Sequence, residues 1–336
     1  MDIWTAGKLG VKTLTRKAIE EYQFEKLKET IDWAADHSPF YAQLYRGLSV
    51  DSPGDFRALP FTNAQDICLW GTDMVCVAQG QISRIVTMQT SGTTGKPKRI
   101  YFTEEDQELT IDFFHNGMRL IVDETDTVII LMPCARPGSI GDLLKKGLER
   151  LGARVISYGL PDGTDDRKIL ALMQDRQVTC AVALATQLAA LARQSTGYSI
   201  PMRSALLSAE YVSEESREAI AAAWKCPVFE HYGMTEMGLG CAVSCPELTG
   251  CHIRESDLYL EIIDPETGRV LPDGEEGEVV FTTLTRKGMP LIRYRTGDWS
   301  SFLTEPCGCG SILKRVSRVG DRTRKKGAWK QSEEQD

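Results

Sequence analysis

Between residues 127 and 231 the chain alternates short β-branched runs with amphipathic stretches, and this alternation constrains its fold more than any other feature. Strands are expected at 127–132, 154–158, 178–184, 204–208 and 227–231, and helices at 140–151, 165–175, 187–194 and 213–224. Serial strand–helix units bury both faces of a sheet only by right-handed crossovers onto largely parallel strands, so the class is α/β with helices on both faces. Ligands of such sheets sit beyond the carboxyl ends of the strands. Here those ends carry Ser208-Ala209-Glu210 and Tyr232-Gly233-Met234-Thr235-Glu236.

The flanks read differently. Residues 12–36 place Ile19, Tyr22, Phe24, Leu27, Ile31 and Trp33 at helical spacing, and Ser38-Pro39 stops that helix. Two strands, 83–88 and 99–103, bracket a glycine-rich loop. Thr103 with Asp106 three residues on predicts a capped helix running to about Leu120. Beyond Gly240 the texture turns to short strands, 258–263, 277–283 and 291–295, separated by turn-forming segments, which predicts an antiparallel, barrel-like subdomain. The expected organisation is an N-terminal helical segment (1–85), an α/β nucleotide-binding region (86–239), a β-rich subdomain (240–320) and a hinge with tail (321–336).

The 336 residues are 42% hydrophobic, enough for a large core. A net charge of −8 argues against a polyanionic partner such as nucleic acid and leaves room for small anions in local basic pockets. The longest apolar runs, Thr127–Cys134 and Thr179–Ala192, are too short and too interrupted to span a membrane, so a cytoplasmic protein is expected. In that setting the ten cysteines read as thiols or metal ligands.

The loop Thr90-Ser91-Gly92-Thr93-Thr94-Gly95-Lys96-Pro97-Lys98 concentrates two glycines, hydroxyls and lysines, an inventory suited to a phosphate chain. It is not a Walker A motif: only two residues separate Gly92 from Gly95-Lys96 where four are needed, and Pro97 leads into a strand instead of a helix. A phosphotransferase built on this loop is therefore disfavoured, and a hairpin closing over a nucleotide is expected. Separately, Cys245, His252, Cys307 and Cys309 offer soft thiolates and an imidazole suited to a closed, structural zinc site, with Cys241 and Cys251 as alternative ligands.

Four segments occur in order: the glycine loop, Tyr232–Glu236, Tyr294-Arg295-Thr296-Gly297-Asp298, and the run from Arg318 to Gly327. Together they resemble the adenylate-forming superfamily of acyl-CoA synthetases, adenylation domains and luciferases. The phenylacetate–CoA ligase branch is the nearest likeness, through His37-Ser38-Pro39-Phe40-Tyr41 and the run from Glu261 to Gly268. That resemblance implies attack of a carboxylate on the α-phosphorus of ATP, giving an acyl-adenylate and pyrophosphate. It implies that Ser91, Gly92, Thr93, Thr94, Gly95 and Lys96 hold the pyrophosphate side. Thr235 would donate to the α-phosphate, Glu236 would bind Mg²⁺, and Ser208, Ala209 and Glu210 would lie beside the adenine. Tyr232 and Gly233 would lie against the base, and Asp298 and Arg318 would contact the ribose. Lys96, Thr235 and Glu236 would carry the catalysis. Cysteine and histidine elements similar to the four zinc candidates occur in the same branch.

Relatives continue past the hinge into a small domain that supplies a lysine and, for thioester formation, part of a CoA tunnel. Asp321 and Gly327 keep hinge positions, but Arg322–Lys326 is basic where the family is apolar, which reads as a natural end. Two functions follow as expectations. One is an enzyme activating a carboxylic acid, of which an aryl acid is one candidate, with ATP and Mg²⁺, CoA being a candidate acceptor. The other is a catalytically weak nucleotide-binding protein working with a partner chain that supplies the small domain. A homodimer is a further expectation. The acyl pocket is expected between the 208–210 and 232–234 loops, with the helix near Phe113, Phe114 and His115 as a wall. His115 is expected to be a packing residue and His231 a support for the strand end.

Overall fold

The computed structural model describes residues 1–89 and 97–320. Its strands are β1 (Arg84–Met88), β2 (Lys98–Phe102), β3 (Thr127–Leu131), β4 (Arg154–Ser157), β5 (Cys180–Ala183), β6 (Ser204–Leu207), β7 (Val228–Tyr232), β8 (Ala242–Ser244), β9 (Cys251–Ile253), β10 (Leu258–Ile263), β11 (Gly277–Thr283), β12 (Tyr294–Ser300) and β13 (Arg315–Val316). The helices are α1 (Asp2–Leu9), α2 (Arg16–His37), α3 (Pro39–Leu44), α4 (Pro53–Ala58), α5 (Ala64–Trp70), α6 (Glu104–Met118), α7 (Ile140–Leu151), α8 (Asp166–Asp175), α9 (Ala185–Gln194) and α10 (Glu214–Trp224).

An eight-stranded sheet, in the order β13-β9-β8-β7-β6-β5-β3-β4, carries the molecule. Its strands from β4 to β7 are parallel. Alternate side chains go to opposite faces, as the two-residue pleat requires. Val128, Ile130, Val182 and Leu206 pack with Phe114 and Leu144, whereas Ile129, Leu131, Ala181 and Leu207 pack with Ile169, Leu188 and Ile220. Burial on both faces explains why these strands read as continuous apolar runs.

The antiparallel texture expected beyond Gly240 is divided between two sheets. β8 pairs antiparallel with β7, β9 antiparallel with β8 and β13 antiparallel with β9 at the edge, and β10, β11 and β12 form a separate three-stranded sheet. The expected strand at 291–295 is displaced to Tyr294–Ser300. Leu291 and Ile292 are wholly buried as core filling, and Arg293, at φ 47°, turns the chain into the ladder. The buried Arg293 guanidinium then pairs with Glu261 at 3.0 Å and donates to Leu59 O, pinning the N-terminal segment to this sheet.

The helix after the hairpin starts as expected. Thr103 Oγ1 accepts from Asp106 N at 3.1 Å, and Asp106 Oδ2 accepts from Thr103 N at 3.0 Å. Asp106 also accepts from the backbone of Lys287 and Gly288, so this cap locks α6 against the three-stranded sheet. No helix among the described residues is long and apolar enough to cross a membrane.

Candidate functional site

Two loops leave the carboxyl ends of β6 and β7 and face the turn at Gly297 across a cleft of about 350 Å³. The cleft is lined by Ala209, Glu210, Tyr232, Gly233, Asp298, Val319 and Gly320, so four separate sequence segments meet in one place. Ala209 adopts φ 69°, a left-handed conformation that disfavours a β-carbon and is found where surrounding structure enforces it. Its neighbour Glu210 is held by Thr186, whose N–H and hydroxyl both donate to Oε1. Gly233 is required by close approach: a β-carbon there would lie 2.9 Å from Gly240 Cα and from Leu239 O.

Across the cleft the Tyr232 hydroxyl donates to Asp298 Oδ2 at 2.9 Å. Burial, and then the adjacent Asp298 carboxylate, push the Tyr232 phenol well above its ordinary pKa, so it remains a donor. The Asp298 carboxylate thereby keeps a fixed orientation at the rim.

Thr235 and Glu236 open a short 3-10 turn after β7. Glu236 is 2% exposed, forms an ion pair with Lys98 Nζ and accepts from the Tyr294 hydroxyl at 3.3 Å. Arg286 donates to Glu236 O at 2.7 Å and to Tyr101 O at 3.2 Å, coupling this turn to β2. Thr110 donates to Gly238 O and Arg254 to Met237 O, so the loop after Glu236 is clamped along its length. Lys98 is a residue whose role the sequence did not reveal. Its partner lies 138 positions away, and only the β1–β2 pairing turns it toward Glu236.

Arg318 pairs with Glu214 at 3.2 Å and Glu230 at 3.6 Å, in a neighbouring cleft that it shares with Arg217, while Val319 and Gly320 line the Asp298 cleft. Ser91, Gly92, Thr93, Thr94, Gly95 and Lys96 lie outside the described residues, as do Asp321 and Gly327.

Next to the first cleft lies an apolar cavity beneath α6, with Phe113 and Phe114 in its wall and Ser208 and His231 at its polar end. His115 stays out of it, its Nδ1 lying 3.3 Å from Gly147 O, which fits a packing residue. His231 does more than end a strand, since its ring also lines this cavity. Ser208 Oγ lies 2.8 Å from His231 Nδ1. Burial, with a smaller contribution from Arg254, pushes the His231 imidazole down to about 4, so it is neutral near pH 7.

On the opposite edge of the sheet, ligand atoms of Cys245, His252, Cys307 and Cys309 lie within 4.8 Å of one another. Cys245 and Cys307 sulfurs are 3.5 Å apart, and Cys309 Sγ is 3.3 Å from His252 Nε2. These spacings are close to the edges of a tetrahedron with zinc–ligand bonds of about 2.0–2.3 Å. His252 Nδ1 lies 3.3 Å from Leu313 O, leaving Nε2 facing the thiols. Burial lowers the His252 pKa, which keeps the imidazole in the neutral form a metal needs. Of the alternative ligands, Cys251 directs its sulfur to Glu230 O and Cys241 is wholly buried; neither joins the cluster.

Comparisons with known proteins agree with this fold. The AMP-binding enzyme family matches residues 54–284. Phenylacetate-coenzyme A ligase of Escherichia coli (strain K12) is 31% identical over 331 residues, covering 93% of this chain and 73% of that protein. The enzyme of the same name from Pseudomonas putida is 30% identical, covering 93% of this chain and 72% of its own length. Among solved structures, 2-hydroxyisobutyryl-CoA ligase in complex with 2-HIB-AMP and CoA superposes with a TM-score of 0.81 at 21% identity, covering 92% of this chain and 69% of that one. A long-chain-fatty-acid-CoA ligase from Archaeoglobus fulgidus reaches 0.53 at 20% identity, covering 70% of this chain and 51% of that one; at such identities the likeness concerns the fold. A family match over more than half the chain, joined to a sheet that sets the 208–210 loop, Tyr232 and Asp298 around one cleft, identifies this protein as a member of the AMP-binding family, an adenylate-forming ligase of the phenylacetate–CoA ligase branch.

Proposed function

We propose that the cleft between Ala209, Tyr232 and Asp298 binds ATP and that the adjoining apolar cavity, whose accessible volume is about 20 Å³, widens to take the acyl group of a carboxylic acid. The observation that carries this reading is their adjacency: His231 lines both spaces, so an acid seated in one presents its carboxylate to a phosphate in the other. The reaction joins a carboxylate oxygen to the α-phosphorus and expels pyrophosphate. Positioning and charge stabilisation dominate such a step. Asp298, oriented by Tyr232, would accept hydrogen bonds from the ribose hydroxyls. Thr235 would donate to the α-phosphate, and Glu236 would hold Mg²⁺ in exchange for its pairing with Lys98, a carboxylate oxygen suiting so hard a cation. Bound there, the metal would neutralise charge that develops on the phosphates. Lys98, released from Glu236, becomes a cation at the same rim. CoA is the acceptor we propose for the activated acyl group, from the names of the phenylacetate–CoA ligases at about 30% identity.

We further propose that Cys245, His252, Cys307 and Cys309 hold a structural zinc. The four donors would leave no open position for substrate, and would tie the β8–β9 connection to the loop before β13.

ATP–[³²P]pyrophosphate exchange, screened against aryl and short acyl acids, tests the reading. Acid-dependent exchange supports it. Calorimetric ATP binding without exchange in the presence of any acid would favour a nucleotide-binding protein without turnover.

A further inference from the structure

Between α2, α4 and β10 lies another cavity, of about 260 Å³, whose lining shares no residue with the Asp298 cleft or with the pocket beneath α6. Its walls include the half-buried rings of Phe24 and Tyr259 and the buried Phe56, which meets Tyr259 edge-on at a centroid distance of 5.4 Å. Gln23, only 5% exposed, reaches the cavity from α2. Its side-chain nitrogen donates to Glu255 O at 2.9 Å and to Leu258 O at 3.3 Å. Both partners are carbonyls, which fixes the orientation of the amide and turns its acceptor, Oε1, away from them. Among the described residues Oε1 has no hydrogen-bond partner, and it is not sealed within the protein, so it faces the cavity.

Charge at the rim is divided. Arg16 holds Glu255 through both terminal nitrogens at 2.6 and 2.9 Å, and Lys314 pairs with Asp273 at 2.8 Å, so these two cations are spent. Arg57 and Glu20, both exposed, line the same cavity and form no ion pair among the described residues. A pocket with apolar walls and a few convergent polar groups is the usual form of a small-molecule site. Water would satisfy Gln23 Oε1 but leave the aromatic walls wet, whereas an aromatic ring bearing an N–H satisfies both. We propose that this cavity binds an aromatic amino acid of the indole type. Its ring lies between Phe24, Phe56 and Tyr259, its ring N–H donates to Gln23 Oε1, its carboxylate meets Arg57 and its ammonium meets Glu20. Because the lining is separate from the Asp298 cleft, occupancy does not require ATP.

Calorimetry on the whole chain tests this with four probes: L-tryptophan; benzothienyl-L-alanine, in which sulfur replaces the ring N–H; indole-3-propionate, which lacks the ammonium; and tryptamine, which lacks the carboxylate. Tryptophan should bind at a single site per chain without ATP, and each analogue should bind about tenfold or more weaker. Arg57→Gln should weaken tryptophan and indole-3-propionate about tenfold and leave tryptamine unchanged, whereas Glu20→Gln should weaken tryptophan and tryptamine and spare indole-3-propionate. Both positions are exposed, so these variants should keep wild-type stability in urea unfolding. No saturable tryptophan binding up to about 10 mM, equal affinity for the benzothienyl analogue, or affinities that neither substitution changes would overturn the proposal and leave the ATP reading intact. Competitive displacement of tryptophan by ATP would place it in the Asp298 cleft and overturn the proposal too.

Discussion

Lowering the pH should destabilise the fold through His231 by an amount that follows from its burial. The imidazole titrates at about 4 in the folded protein and at about 6.5 when unfolded. Above pH 6.5 both states are neutral and the folded state retains its full stability. Between the two values the unfolded chain binds close to one more proton, so stability falls with decreasing pH at about 1.2 kcal/mol per unit. Integrated from pH 7 to 4, the loss is about 3 kcal/mol, and it levels off below the folded value. Carboxylates titrate in the same range, so the quantity to measure is the difference between wild type and His231→Phe in urea unfolding at a series of pH values. The wild-type curve should fall about 3 kcal/mol further, with the excess confined to pH 4–6.5. Parallel curves would mean that the ring protonates freely in the folded state, and would refute the neutral, desolvated imidazole.

Glu236→Gln removes the carboxylate facing Lys98 and should cost roughly 3 kcal/mol in urea unfolding, with Lys98→Met in the same chain recovering part of it; pyrophosphate exchange should be lost in both. Tyr232→Phe deletes the 2.9 Å hydrogen bond that orients Asp298 and should weaken ATP binding about tenfold by calorimetry. Elemental analysis should find close to one zinc per chain, falling below about half an equivalent in Cys245→Ser.

The parallel half of the molecule was legible because both faces of β3, β5 and β6 are buried, which writes itself as apolar runs between amphipathic helices. The capping pair Thr103 and Asp106 was legible for the same local reason. Sheet membership beyond Gly240 was not: β8 and β9 are three residues long and β13 two, too short to carry a period. β12 was misplaced because Leu291 and Ile292 are apolar core residues outside the strand, whereas the polar Thr296, Asp298 and Ser300 are in it. At the site, Tyr232, Asp298 and the Cys245, His252, Cys307 and Cys309 set could be read from motif and residue chemistry, and the structure brings each group together. Lys98 and the cavity-facing ring of His231 could not, since each depends on contacts between segments far apart in sequence.

Calorimetric titration of the chain with Mg²⁺–ATP, in wild type and Asp298→Ala, tests most directly whether one nucleotide occupies the cleft at the rim of the sheet. The account predicts a single site per chain, weakened at least ~100-fold when the ribose-facing carboxylate is removed. Absence of binding heat in the wild type, or an affinity that Asp298→Ala leaves unchanged, would contradict it.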